Sequence, residues 1–225
     1  MSNRTEEASE RFLERDFSEC FQMMRHYDSQ LLETVKFALA AYSAIAGAAL
    51  AFYKYGIDHS ADYRGPALAV TTVGLLIGIV LFALATRTRV YFVLVTRYIN
   101  EHRAFFLNLR PFGFPNRTRM YTDSRQPPYF SWRSSQALLL YALALLNAGL
   151  LALGLFLALN GALHWKPVTV LGAGAMLLVQ LATAVVYLLT REAKSASAAV
   201  WGSHAGTTET EEDSHPPHDE QQPPA

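Results

Sequence analysis

The stretch from Pro66 to Arg110 constrains this chain more than any other. Its first 21 residues, Pro66 to Thr86, carry no charged side chain, and a helix of this length crosses about 30 Å of hydrocarbon. Neither glycine nor proline interrupts the helical pattern between Gly78 and Pro111. Arginines begin where the apolar run stops, at Arg87, Arg89, Arg97, Arg103 and Arg110. The stretch therefore predicts a transmembrane helix that continues beyond the membrane as a basic helix.

Three further apolar blocks alternate with charged segments, so we predict an all-α integral membrane protein. Its four transmembrane helices form two hairpins and comprise residues 37–55, 66–86, 136–159 and 167–190. The first span is the least apolar and needs flanking residues to reach full membrane length. The remaining predicted segments are an N-terminal amphipathic helix at 1–36, external turns at 56–65 and 160–166, a basic helical extension at 87–110, a loop at 111–135 and a tail at 191–225.

The basic residues predict the orientation of these spans. Sixteen of the 19 lysines and arginines fall in segments 1–36, 87–135 and 191–225, which lie on one side of a four-span protein. Because cytoplasmic loops are enriched in lysine and arginine, we expect this side to be cytoplasmic. Both termini would then lie in the cytoplasm, and the protein would reside in a plasma or inner membrane.

Apolar residues recur at helical spacing before the first span, from Phe12 to Val35. No helix breaker separates this stripe from the span, so we predict one helix from about Arg11 to Tyr55, whose first half stands in the cytoplasm. The alternative is an amphipathic helix lying flat on the membrane surface. The polar face is acidic, which favours the standing helix, because surface helices prefer a basic face.

The acidic helix has a natural partner in the basic extension of the second span. If a tight turn joins the two spans, Glu33 falls beside Arg87 and Arg89, and Glu19 falls beside Arg103. The first hairpin would then extend into a cytoplasmic antiparallel helical stem resembling a coiled coil. Exposed ion pairs contribute only about 0–1 kcal/mol each, so they would select the register while the apolar stripes stabilise the pair.

Small residues predict close packing of the first two spans inside the membrane. Ala40, Ala44 and Ala48 share one face of the first span, and Gly74 and Gly78 form a GxxxG step on the second. Such faces let helix backbones approach closely, which favours association in lipid.

A polar pair is predicted near the middle of the second hairpin. A short external turn places Asn147 opposite Gln180, where an interhelical amide hydrogen bond would hold the spans together. The alternative interpretation is a polar pore lining, to which Thr71, Thr72 and Thr183 would contribute. The predicted spans contain no acidic residue, so a proton or cation relay through buried carboxylates is not indicated.

The segments outside the spans suggest what the chain binds. The loop at 111–135 interleaves arginines with prolines and aromatic residues, which suits anionic lipid headgroups at the cytoplasmic face. No recognised motif supports nucleic-acid binding by this loop. The end of the chain, from Ser203, is acidic and proline-rich, which is typical of disorder, and its histidines match no metal-ligand spacing.

No catalytic, cofactor-binding or metal-binding motif is found, so we do not expect an enzyme. The favoured interpretation is a structural, scaffolding or regulatory membrane protein whose cytoplasmic stem and basic loop bind protein partners or anionic lipid. The alternative is an oligomeric pore or membrane effector gated through the stem. A homo-oligomer is compatible with both.

Overall fold

The protein is described here by a computed structural model that covers residues 2–108, 122–159 and 165–205. Four α-helices account for nearly all of these residues: α1 (Ser2–His59), α2 (Arg64–Asn108), α3 (Ser135–Leu159) and α4 (Trp165–Ala205). No β-strand occurs in the described ranges.

All four helices are long and apolar enough to cross a membrane, which confirms the prediction of four helices of membrane-spanning length and apolar composition. The first two are much longer than a crossing requires. With 58 residues in α1 and 45 in α2, a rise of 1.5 Å per residue gives lengths of about 87 and 68 Å, against a hydrocarbon thickness of about 30 Å. Both helices therefore extend well beyond any bilayer that they cross.

The helices pack as a bundle in which α2 and α3 are central. Helix α1 lies along α2, α4 lies along α3, and α2 packs against α3. The main core cluster draws on all four helices and consists of Leu31, Val35, Ala38, Phe82, Ala85, Leu140, Leu143, Ala144 and Ala184. Helix α4 barely touches α2, so a cleft remains between these two helices.

The packing of α1 on α2 differs from the predicted contact of two small-residue faces. Gly74 and Gly78 are buried, but the side chains that they admit are Ile45 and Tyr42 of α1. Of the three alanines predicted to face them, Ala40 and Ala44 are exposed and Ala48 is partly exposed. The glycines thus make room for large side chains, because Tyr42 must pass α2 to reach Asn147 on α3.

The connection between α1 and α2 is tighter than the predicted turn at 56–65. Helix α1 continues to His59, and Ser60 then adopts a positive φ of 51°, the left-handed conformation that ends many helices. The amide of Ala61 donates back to the carbonyl oxygen of Gly56 at 3.1 Å. The carboxylate of Asp62 accepts a hydrogen bond from the amide of Arg64 at 3.0 Å, which caps the start of α2.

The ends of the chain also differ from the sequence-based boundaries. Helix α1 begins at Ser2 rather than near Arg11, and α4 continues to Ala205, although segment 191–225 was expected to be a disordered tail. The helix thus includes the first part of that segment. The rest of the predicted tail, from residue 206, the last two residues of the predicted extension, 109–110, and the first part of the predicted loop, 111–121, lie outside the described residues.

Candidate functional site

A network of polar side chains joins all four helices just beyond the apolar part of α2. Its main residue is Arg89, of which only 4% is exposed. The Arg89 guanidinium donates through Nε to the carbonyl oxygen of Tyr129 at 3.1 Å, through Nη2 to that of Pro128 at 2.8 Å, and through Nη1 to Oε1 of Gln136 at 2.7 Å. Arg89 therefore fastens segment 122–134 and the start of α3 to α2.

Arg97, two turns further along α2, binds the same segment and the end of α4. Its Nη2 donates to Oε1 of Glu192 at 2.6 Å, and its Nε donates to the carbonyl oxygen of Pro127 at 3.1 Å. The Arg97 guanidinium also lies over the Tyr129 ring, 4.6 Å from the ring centroid. The second carboxylate oxygen of Glu192 accepts the backbone amide of Tyr129 at 2.8 Å. Helices α2 and α4 thus hold Tyr129 between them.

Two amides complete the network. Asn100 Nδ2 donates to the carbonyl oxygens of Asp123 at 3.1 Å and Gln126 at 2.8 Å. Gln136 accepts from Arg89 and donates through Nε2 to Oδ1 of Asp28 at 2.9 Å, which brings α1 into the network. We call the set comprising Asp28, Arg89, Arg97, Asn100, Gln136, Glu192 and segment 122–134 the junction cluster.

The charge of Arg89 is costly to bury. Burial lowers the pKa of Arg89 to about 10; nearby Arg97 lowers it too, whereas Asp28 raises it. This pKa is well above neutral, so the guanidinium stays charged and needs its three acceptors. Because two of them are backbone carbonyls, the segment must follow one particular path over α2 for the charge to be satisfied.

A cavity of about 860 Å³ lies beside the junction cluster, between α1, α2 and segment 122–134. Its lining combines apolar side chains such as Phe21 and Ile99 with polar ones such as Arg103 and Ser134. Asn100 also lines it, and Oδ1 of this buried side chain has no hydrogen-bond partner among the described residues. The cavity can hold water or a small polar molecule. In the described ranges, no group of three or more histidine, cysteine or acidic side chains could hold a metal ion.

The acids of the predicted stem ion pairs contact other bases than those predicted. Glu33 contacts Lys36 at 2.8 Å and Glu19 contacts Arg15 at 2.8 Å, so both acids bind bases of their own helix. Arg87 donates to the hydroxyl of Tyr91.

Two other acids of α1 face the basic extension of α2. Asp28 interacts electrostatically with Arg89. Asp16 lies 3.5 Å from His102 and accepts a hydrogen bond from the hydroxyl of Tyr98 at 2.9 Å. That hydrogen bond raises the pKa of the Tyr98 phenol.

Aromatic contacts explain why this register is adopted. Tyr27 stacks on Tyr91 with ring centroids 5.8 Å apart, and Phe17 stacks on His102 at 6.3 Å. The guanidinium of Arg103 lies over the ring of Phe17 and that of Phe21, 5.8 Å from each centroid. Stacked aromatic rings and cation–π contacts contribute more than exposed ion pairs, so they decide how α1 is aligned along α2.

The structure brings Asn147 and Gln180 together in the interior of the bundle. Asn147 is 0% exposed, and its Nδ2 donates to Oε1 of Gln180 at 3.1 Å and to the carbonyl oxygen of Gly78 at 3.1 Å. Tyr42 donates its hydroxyl to Oδ1 of Asn147. A single asparagine therefore connects all four helices.

The threonines named as pore-lining candidates do not extend this polar pair into a continuous face. Thr71 is buried and Thr183 is exposed, and each donates its hydroxyl to a carbonyl oxygen of its own helix. Thr72 is exposed on α2.

Sequence reasoning did not identify Asp28, Arg97, Gln136 and Glu192 as partners in one cluster. A signal was nevertheless present, because Gln136 and Glu192 stand at the ends of predicted spans, at the same membrane level as Arg89. Polar residues at this level commonly interact with one another or with headgroups.

Comparison with protein-family models, with characterised proteins and with solved structures finds no match to this chain.

Proposed function

We propose that this protein is a membrane scaffold or regulator whose four spans hold a rigid helical stem in the cytoplasm. The stem consists of residues 2–36 of α1 and 87–108 of α2, paired as an antiparallel, coiled-coil-like extension of the first hairpin. The stem and the basic loop bind a protein partner or anionic lipid. The observation that carries this proposal is the junction cluster, in which buried arginines of the α2 extension fasten segment 122–134 and α4 to the base of the stem.

The proposed orientation places both termini, the junction cluster and the stem in the cytoplasm. Sixteen of the 19 basic residues fall on this side, as the positive-inside rule requires. The membrane would be a plasma or inner membrane.

Exposed apolar side chains on the stem support a protein partner. Phe12, Met23, Tyr98 and Phe105 are each more than 40% exposed, although they lie beyond the apolar spans, where the lipid tails would not cover them. Exposed aromatic and methionine side chains are characteristic of protein-binding surfaces. A helical or loop segment of a partner could pack along the stem and cover them.

Photo-crosslinking in intact cells tests the proposed partner. A photoreactive amino acid in place of Phe105 is expected to yield protein adducts, because this side chain would face the cytoplasm. The matched control carries the same residue in place of Leu171, another exposed apolar position, within α4, and is expected to react mainly with lipid. Equal protein adducts from the two positions, or none from position 105, would contradict the scaffold proposal.

Ion flux distinguishes the scaffold from the oligomeric pore. The Asn147 amide forms hydrogen bonds to three other helices of the same chain, which favours a role in holding the helices together over a role in lining a pore. Vesicles containing the purified protein are therefore expected to retain a potassium gradient as long as protein-free vesicles do. A leak that changes in the Asn147→Leu/Gln180→Leu variant would support the pore instead.

A further inference from the structure

A second cavity lies apart from the junction cluster, in the cleft where α4 diverges from α2. Its volume is about 510 Å³, within the range of about 300–1,000 Å³ that is usual for small-molecule sites. The walls are mainly apolar and include Ile79 and Phe82 of α2 and Met176 and Val179 of α4. Because both helices are long and apolar enough to span a membrane, the open side of this cleft would face lipid tails.

Two arginines stand where the cleft reaches the charged end of the bundle. Arg87, which lines the cleft, donates through Nε and Nη2 to the hydroxyl of Tyr91 at 3.1 and 2.9 Å. Arg191 donates to the hydroxyl of Tyr187 at 3.3 Å, and its guanidinium lies 5.3 Å from the centroid of that ring. Tyr187 also lines the cleft. Both guanidinium groups thus contact neutral phenols, and both side chains are exposed.

An apolar cleft closed at one end by two cations fits an anionic amphiphile. A phosphate accepts hydrogen bonds from guanidinium groups in a well-matched geometry, and basic pockets between spans at the cytoplasmic side bind anionic lipid headgroups. We propose that the α2–α4 cleft binds one anionic phospholipid. Its phosphate contacts Arg87 and Arg191, and an acyl chain lies along Ile79, Phe82 and Val179. The site rests on the proposed orientation, which puts both arginines at the headgroup level.

Charge favours a lipid over a second copy of the chain. Arg87 and Arg191 stand at the mouth of the cleft, so the same face of another copy would bring like charge to it. An anionic lipid brings the opposite charge together with an apolar chain of suitable width.

Native mass spectrometry of the intact protein tests the proposal. Detergent-solubilised protein is mixed with equal amounts of phosphatidylglycerol and phosphatidylcholine that have identical acyl chains. We expect one phosphatidylglycerol to be retained per chain. The Arg87→Gln/Arg191→Gln variant is expected to bind it about 25-fold more weakly, since each basic residue near the surface contributes about a factor of five to the affinity. The matched control, Lys54→Gln/Arg64→Gln, removes two exposed cations at the opposite end of the first hairpin, outside the stem and the basic loop, and is expected to bind as the wild type does.

A second pair of variants tests the shape of the cleft without changing charge. Ala83→Phe would place a ring in the cleft and is expected to reduce lipid retention severalfold, whereas Ala175→Phe, exposed on α4 outside the cleft lining, is expected to have no effect. Equal retention of the two lipids, unchanged binding in the double-arginine variant, or a lipid-free dimer would overturn the proposal. These outcomes are independent of the crosslinks from position 105, so failure of the lipid site and failure of the scaffold can be told apart.

Discussion

Alanine in place of Arg89 is expected to lower the free energy of unfolding by about 3 kcal/mol or more. The substitution leaves two backbone carbonyls and the Gln136 amide without their donor, and it opens a void among buried groups. Segment 122–134 would lose its hydrogen bonds with α2 at Pro128 and Tyr129 and be hydrogen-bonded to α2 by Arg97 and Asn100 alone, so its attachment would loosen. The change is measured as a lower melting temperature in detergent and as faster tryptic cleavage after Arg125, an exposed residue of the same segment.

Two variants define the specificity of this effect. Arg89→Lys keeps the charge but cannot reach three acceptors at once with a single ammonium group, so it is expected to restore only part of the stability. Arg133→Ala removes an exposed arginine from the same segment and is expected to change stability by less than about 0.5 kcal/mol. If Arg89→Ala and Arg133→Ala melt at the same temperature, the junction cluster does not hold the segment in place.

The second large effect is expected from a single methyl group at Gly78. A Cβ at this position would collide with the hydroxyl of Tyr42 and with Oδ1 of Asn147, two atoms that already contact each other. Gly78→Ala is therefore expected to destabilise the bundle by about 2 kcal/mol or more, by overpacking it and by breaking the hydrogen bonds of Asn147. Thermal unfolding in detergent measures the loss.

Gly149 provides the matched control, because a Cβ there meets no atom within 4 Å. Gly149→Ala is expected to be neutral or slightly stabilising, since alanine favours the helix more than glycine does. A melting temperature for Gly78→Ala as high as that of Gly149→Ala would show that α1 and α2 do not approach as closely as described.

The four membrane helices were predictable because their signal is local. An uncharged run of 21 residues in α2 can be read from the chain without knowing what packs against it. The approach of Asn147 to Gln180 could be anticipated for a similar reason, because a short turn between two spans restricts the residues that can lie opposite one another.

The junction cluster could not be predicted in the same way. The sequence suggested that Arg89 pairs with Glu33 because opposite charges are visible in it, but the acceptors at Arg89 include backbone carbonyls of Pro128 and Tyr129. Every residue has a backbone carbonyl, so such an acceptor leaves no mark in the sequence. Only the path of segment 122–134 in space determines which carbonyls reach the guanidinium.

The face of α1 was misjudged because of another ambiguity in sequence patterns. Alanines at intervals of four residues suggest that the small residues of α1 pack on the small residues of α2. The space left by a glycine can, however, equally receive a large side chain. Because Asn147 is buried, its side-chain oxygen needs a hydrogen-bond donor, and the Tyr42 hydroxyl of α1 supplies one from the space beside Gly78. The position of Tyr42 therefore depends on three helices, α1, α2 and α3, whereas the sequence pattern considers only α1 and α2.

The way in which Arg89 and Arg97 bind segment 122–134 has a consequence for how freely the chain can change. Both guanidinium groups contact main-chain oxygens at positions 127–129, so apart from the Tyr129 ring beneath Arg97 they recognise the course of the backbone and not the identity of the side chains. Substitutions at outward-facing positions of the segment, such as Trp132, can then alter its surface chemistry while the attachment persists. The segment is a place where new binding preferences could accumulate without loosening the architecture beneath it.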